Sequence, residues 1–319
     1  MSAPTTGAPT TDMNAPVDEK VHRTETAAHR RSRRLLMTLF LGPTVIGLTL
    51  FTLVPIVASI VLAFFRWDVL SPPEFVGLDN FADIVTDPTV RISFVNTFGF
   101  VIVAVAVQLA VALALAVLVQ SKMPSWLRSF FRSAFFFPLV LSAASISLVM
   151  AYLFNQDFGL VNRVLSVVGA GDIPWLTSGF GASVVIVLVY VWQNFGFTFL
   201  LFVGGIATIP IEMYEASTVD GASGWRQFRS ITVPLLSPTI LVASVTAIIN
   251  ALQIFDQPYV MTKGGPGDST RTAVMVIFES AFQQLEFGRA FAIGIVLTLV
   301  IMAITAAQFR LSRRFVFYQ

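Results

Sequence analysis

The stretch Tyr214–Pro238, YEASTVDGASGWRQFRSITVPLLSP, decides how this chain is read. It sets Glu215, Asp220, Arg226 and Arg229 between two strongly apolar runs, with a glycine at 221 where a helix would otherwise continue. Residues 212–219, EMYEASTV, have helical composition, and Pro210 stands two residues ahead, placed to close the preceding helix. Glu212, Glu215, Ala216 and Val219 fall at i, i+3, i+4 and i+7 and so share one face. Gly221 opens backbone angles closed to other residues. SGWRQFRSI then reads as a second short helix, with Trp225, Phe228 and Thr232 on one side. The spacing predicts a helix–turn–helix. Ordering such a loop costs conformational entropy, so a contact must hold it. Two readings stay open: an interfacial loop anchored by Trp225 and Phe228, or a docking element for another protein.

The runs on either side belong to a chain of 319 residues that is 55% hydrophobic and 12% charged, about half the charge of an ordinary soluble protein. Thirty phenylalanines against 20 lysines and arginines point to a surface solvated by lipid. The absence of cysteine excludes disulfides, thiol nucleophiles and Cys-based metal sites. The two histidines, His22 and His29, lie in a polar N-terminal segment, which leaves no Ser/His/Asp set for hydrolysis. A net charge of +2 gives no reason to expect nucleic acid as a partner. Residues 1–35 are rich in Ala, Pro and Thr, lack apolar periodicity and are expected to be disordered. They end in Arg30, Arg31, Arg33 and Arg34, directly before an apolar run too long for a cleaved signal peptide.

Six stretches are long enough to cross a bilayer, which takes about 20 helical residues. They fall near 36–65, 93–119, 132–154, 183–208, 235–255 and 289–309, within a single domain of residues 36–314 followed by a short tail, 315–319. None carries Asp, Glu or Lys at its middle, where a charge costs about 2.5–3.5 kcal/mol even on the lenient insertion scale. Pro43 and Pro55 predict a bent first span. The expectation is an all-α membrane protein of six transmembrane helices, with a helix–turn–helix loop, residues 210–234, between the fourth and fifth.

Basic residues orient it. With the N-terminus inside, 14 of the 20 Lys/Arg fall on the cytoplasmic side, while the other side holds 6 of them and 11 of the 18 acidic residues. Both termini and the loop around Glu215 are then cytoplasmic. Inside the spans, Gln193 and Asn194 on the fourth and Asn250 and Gln253 on the fifth are uncharged amides, able to bond to hydroxyl groups without the desolvation cost of a charge. They either line a path or bond to neighbouring helices, a contact valued at about 1–2 kcal/mol in model peptides. Phe195, Phe197, Phe255 and Tyr259 offer faces for stacking, and Asp256 and Asp268 are polar candidates on the outer side.

Glu-Ala-Ser at 215–217, Gly221 and Ile-Thr-Val-Pro at 231–234 resemble, in type and spacing, the EAA motif of binding-protein-dependent ABC importer permeases. Ser217 stands for the second Ala and Val233 for a Leu. The resemblance extends to FVGLDNF (75–81), NTFGF (96–100), PWL (174–176), FDQPYVMTKGGPG (255–267) and FGRAFAIGIVLTLV (287–300), and so covers residues 36 to 314. It is closest in character to the maltose- and glycerol-3-phosphate-type carbohydrate permeases. Such a resemblance implies a multi-pass protein of the bacterial inner membrane that forms half of a translocation path. It implies a second similar permease, two cytoplasmic ATP-binding subunits and an extracellular or periplasmic solute-binding protein as partners. Glu215, Ala216, Ser217, Asp220 and Gly221 would couple to the ATPase subunit. Gln193, Asn194, Asn250 and Gln253 would line the path, and Asp256 and Asp268 would face the binding protein. ATP and Mg would sit in the partner subunits, with no catalytic group, cofactor or metal in this chain. The sequence has no P-loop pattern; TKGGPGDST lacks the Lys-Ser/Thr ending. A sugar or sugar-like solute is the expected cargo, with glycerol-3-phosphate or a glycerophosphodiester as the alternative. An ion-coupled secondary carrier is the more distant one, since no charged residue lies deep in a span and no clear inverted repeat is found.

Overall fold

The computed structural model describes residues 27–120, 123–169 and 173–313. Residues 1–26 and 314–319, and with them most of the expected tails, lie outside the described residues. The chain divides between Val57 and Ala58 into two units. The first holds α1 (Ala27–Leu48), a π-helical turn at Thr49–Leu53 and the start of α2 (Val54–Leu62). Helix α1 therefore begins inside the segment expected to be disordered. Ala and Arg are strong helix formers, and AAHRRSRR carries the helix back from its apolar part. The stretch Leu36–Leu62 is long and apolar enough to span a membrane.

In the second unit a two-residue hairpin, β1 (Phe65–Arg66) against β2 (Glu74–Phe75), pairs Phe65 with Phe75 and Arg66 with Glu74. Then follow α3 (Asp79–Thr86), the long α4 (Pro88–Gln120), α5 (Ser125–Val140), α6 (Ala143–Leu153), α7 (Leu160–Val167) and the long α8 (Gly179–Ala207). After these come α9 (Ile211–Val219), α10 (Gly224–Gln227), a π turn at Phe228–Thr232, α11 (Val233–Leu235) and α12 (Ser237–Leu252). The last elements are α13 (Asp256–Thr262), α14 (Ala273–Phe278), a π turn at Glu279–Gln283 and α15 (Phe287–Ser312). Among the described residues five helical stretches have the length and hydropathy of a span, and the pair α5–α6 makes a sixth if taken as one bent span.

That pair stands where one span was expected over 132–154. Its axis turns by 96° between Val140 and Ala143. Pro138 lacks an amide proton and crowds the preceding turn, so α5 ends two residues later. Ser142 then caps α6 by accepting from the Ser145 amide. The carbonyl of Leu141, freed at the break, accepts from the Gln193 side chain at 3.4 Å.

The core lies where α4 crosses α8, with α6, α12 and α13 packed around them. Its construction is legible residue by residue. Helix α4 presents Ala104, Gln108, Ala112 and Ala116 at four-residue spacing, and α12 presents Ala243, Ala247 and Ala251; all seven are buried. In lipid no hydrophobic force pulls helices together, so close backbone approach over small residues supplies the packing. Gly196 of α8 takes this furthest: a Cβ there would stand 2.0 Å from the carbonyl oxygen of Phe135 on α5. The Phe135 ring meets Phe195 and Phe199 at centroid separations of 5.5 and 5.3 Å.

The loop ends are tied by polar side chains. Asn80 donates to the carbonyls of Ala63 and Phe65, both at 2.9 Å. Asn96 donates to those of Asp268 and Arg271 at 2.7 and 3.0 Å. Thr97 accepts from the Ala273 amide at 3.0 Å, and the Trp175 indole donates to Asn162 at 2.8 Å. Arg289 at the start of α15 pairs with Asp87, which also caps α4 through the Thr89 amide at 2.7 Å. Burial pushes the Asp87 carboxyl up, but the Thr89 amide, Arg289 and the Val90 amide outweigh it and hold it below its ordinary value.

Candidate functional site

The element quoted at the outset folds as two short helices about a left-handed glycine. Gly221 has φ +76° and open space where a Cβ would stand, so its conformation rather than its size is what the position requires. The Ala222 amide donates to the Ser217 carbonyl at 2.9 Å and the Gly221 amide to that of Thr218 at 3.0 Å, the paired bonds of a Schellman stop. Ser223 then caps α10 by accepting from the Arg226 amide.

A polar staple locks the two helices together. The Gln227 amide donates to Ser217 Oγ and Thr218 Oγ1, each at 2.9 Å, and to the Tyr214 carbonyl at 3.3 Å. Tyr214 and Thr232 share a hydroxyl–hydroxyl bond of 3.0 Å. Each such bond contributes about 1 kcal/mol net toward holding the two helices together. Ser217 thus faces inward, bonded to Gln227. Glu212, Glu215, Ala216 and Val219 stay exposed on the face expected from their spacing, with Val219 88% exposed, and Asp220 after them is exposed as well. Trp225, 70% exposed, stacks on Phe228 at 5.4 Å. The element is stapled from within and shows an acidic, small and aromatic surface.

The amides expected along a path divide. Gln193 is buried and structural in its bonds: it donates to the Leu141 carbonyl at the α5–α6 break and accepts from Gln257 of α13 at 2.8 Å. Gln253 is exposed at the end of α12. Asn194 and Asn250 come together. Both line a cavity of about 240 Å³, with Phe197, Thr198 and Thr246 beside them. Asn194 donates to the Tyr190 carbonyl of its own helix at 2.9 Å, whereas the Asn250 side chain makes no hydrogen bond among the described residues. Sequence reasoning missed one further member of this cavity, Gln108 of α4, which is 3% exposed and donates to Thr198 Oγ1 at 2.9 Å. Its signal was present: a glutamine interrupts a stripe of alanines at four-residue spacing. No lining residue of the cavity is charged. Of the aromatic candidates, Phe197 lines the cavity, while Phe255 and Tyr259 stack on each other at 4.9 Å and against Phe278.

The outer candidates differ in their freedom. The Asp268 carboxylate is engaged by Arg271 at 2.7 Å, and Arg271 also pairs with Glu279. Burial raises the Glu279 carboxyl above its ordinary value, with Arg271 opposing and Asp268 reinforcing that shift. Asp256, half-buried, opens α13. Among the described residues no cluster of His, Asp or Glu has the geometry to hold a metal ion.

Residues 108–317 match the family described as the inner membrane component of binding-protein-dependent transport systems. Among curated proteins, the chain is 35% identical over 282 residues to the sulfoquinovosyl glycerol transport system permease protein SmoG of Agrobacterium fabrum, covering 88% of this chain and 91% of that one. It is 31% identical over 280 residues to the probable ABC transporter permease protein YurN of Bacillus subtilis, covering 87% and 96%. Among solved structures it shares its fold with a chain of a bacterial alginate ABC transporter in complex with an alginate pentasaccharide-bound periplasmic protein. The TM-score is 0.78 at 22% identity, over 89% of this chain and 96% of that one.

Proposed function

From the premise that the chain belongs to the family of binding-protein-dependent transport system inner membrane components, we propose that it is the permease subunit of an ATP-driven importer for an uncharged sugar or sugar-like solute. It is a multi-pass membrane protein, and both termini and the 210–234 loop face the cytoplasm. It works beside a second, similar permease, with two ATP-binding subunits below and a solute-binding protein outside. ATP and Mg belong to the ATP-binding subunits. Closure of those subunits moves α9 and α10 as one stapled body, and α8 and α12, which flank it in sequence, carry that motion to the cavity.

The observation that carries the cargo reading is the uncharged cavity. Asn194 and Asn250 stand near the middle of their spans, Gly179–Ala207 and Ser237–Thr262, among hydroxyls and amides. Such a lining suits a polyhydroxylated solute and offers a phosphate no counter-charge, which favours neutral sugars over glycerol-3-phosphate or glycerophosphodiesters. Asn250→Leu is expected to reduce uptake about tenfold or more while the chain stays in the membrane with its partners. Normal transport by that variant would move the path elsewhere.

Orientation has its own test in a chain without cysteine. The exposed hairpin residue Ser71 and the turn residue Ser223, each changed singly to Cys, are expected to react with a membrane-impermeant thiol reagent from opposite sides, Ser71→Cys from outside. Reaction of both from one side would overturn the topology.

A further inference from the structure

We propose that α7 (Leu160–Val167) lies flat in the headgroup layer of the membrane, its outward face among the acyl chains of phospholipids and Arg163 reaching their phosphates. Such a contact goes beyond transport and holds whatever solute is carried.

The helix is built inside out. Its one buried residue is polar: Asn162 donates to the carbonyls of Gln156 at 3.2 Å and Ile173 at 3.1 Å and accepts from the Trp175 indole at 2.8 Å. Leu160, Val164 and Val167 recur at i, i+4 and i+7 on the opposite side, and Val168 follows them. All four are exposed, Val164 at 59% and Val167 at 85%. A surface helix in water turns its apolar side to the core and its polar side to solvent. Here the order is reversed, and the outward side is left for an apolar medium.

The level of α7 in the fold points to lipid as that medium. It follows the end of α6 at Leu153 and is tied through Asn162 to Ile173 and Trp175, just ahead of the start of α8 at Gly179. It thus sits where the bent span α5–α6 ends and the span Gly179–Ala207 begins, the depth of a membrane–water boundary. Gly159 fixes the approach: a Cβ there would stand 2.2 Å from the Asn155 carbonyl oxygen, so α7 is pressed against the turn that closes α6. The apolar face continues onto α6, where Leu148, Val149 and Tyr152 are exposed, because Tyr152 meets Phe158 at 6.1 Å between ring centroids. Arg163 flanks that face, exposed and without an ion pair among the described residues. Its stem is long enough to lie along apolar surface and carry the guanidinium to a phosphate. An apolar stripe flanked by an arginine at headgroup depth is the pattern of a helix lying in the interface plane. A soluble protein that docks and leaves would return these valines to water each time.

The test uses the whole transport complex in vesicles of phosphatidylethanolamine and phosphatidylglycerol. Val164→Cys and Val167→Cys are made singly in this cysteine-free chain and spin-labelled, with Ser71→Cys on the exposed hairpin as the reference in water. Collisions of each label with oxygen, which concentrates among acyl chains, are compared with collisions with a water-soluble nickel chelate. At 164 and 167 the oxygen-to-nickel ratio is expected to be about threefold or more above that of Ser71→Cys. A ratio equal to the reference places the face in water and overturns the proposal. Weak collision with both reagents places it against another chain, and a fall in oxygen access when the solute-binding protein is added assigns it to that protein; either result overturns the proposal. If Val164→Cys does not assemble, Val167→Cys, the more exposed of the two, carries the same reading. Loss of assembly in both marks the face as a protein contact and overturns the lipid assignment.

Discussion

Gly221→Leu is expected to abolish coupled uptake while leaving the six-span body folded. At φ +76° a leucine enters the left-handed region, at a cost of about 1–2 kcal/mol. The strain falls on a turn of four residues between two short helices. Relief comes only by undoing the bonds from Ala222 to Ser217 and from Gly221 to Thr218, which re-aims α10 and draws Gln227 away from Ser217 and Thr218. Every contact residue is then still present, but no longer as one rigid body. Transport is expected to fall by more than tenfold, with the ATP-binding subunit bound weakly or its hydrolysis no longer raised by cargo. Glu215→Lys tests the surface of the same element. The side chain is exposed and outside the staple, so on a simple interfacial loop its replacement would shift stability by less than about 0.5 kcal/mol. On a docking surface it reverses the charge offered to the partner. Co-purification of the ATP-binding subunit with each variant separates the two.

Gly196→Val is expected to do the opposite: remove the folded chain rather than uncouple it. A Cβ at 196 would lie 2.0 Å from the Phe135 oxygen and 2.8 Å from its carbonyl carbon. Both are backbone atoms, so α5 must shift bodily, and with it Phe135 and its contacts to Phe195 and Phe199. Overpacking in a core costs about 1–3 kcal/mol, occasionally more, and a clash with backbone belongs at the upper end. A lower melting temperature and yield in detergent are the readout; a wild-type melting curve would contradict the close approach.

These two glycines show what the sequence discloses and what it withholds. Gly221 was readable because its role is local: a helical face ends, a glycine follows, and a second helical face begins. The spans were readable because hydropathy reports length and apolarity. Hydropathy does not report direction, so the break at Leu141–Ser142 was hidden inside one apolar run despite Pro138. Partners across space were hidden too: Gln193 bonds to the freed Leu141 carbonyl and to Gln257, and Asp268 pairs with Arg271. Gln108 marked itself only as an interruption in a stripe of alanines, a pattern that gains meaning once α8 is seen lying against it.

The central claim is that ATP hydrolysis in the partner subunits, transmitted through Glu215–Gly221, drives a neutral solute through the cavity lined by Asn194, Asn250 and Gln108. The most direct measurement is uptake of a labelled sugar into vesicles containing the chain purified with its bound subunits. The solute-binding protein is added outside, and either ATP is enclosed or an ion gradient is imposed. The account predicts uptake that requires enclosed ATP and the binding protein and is lost in Gly221→Leu. Uptake driven by a proton or sodium gradient without ATP, and unchanged in Gly221→Leu, would contradict it.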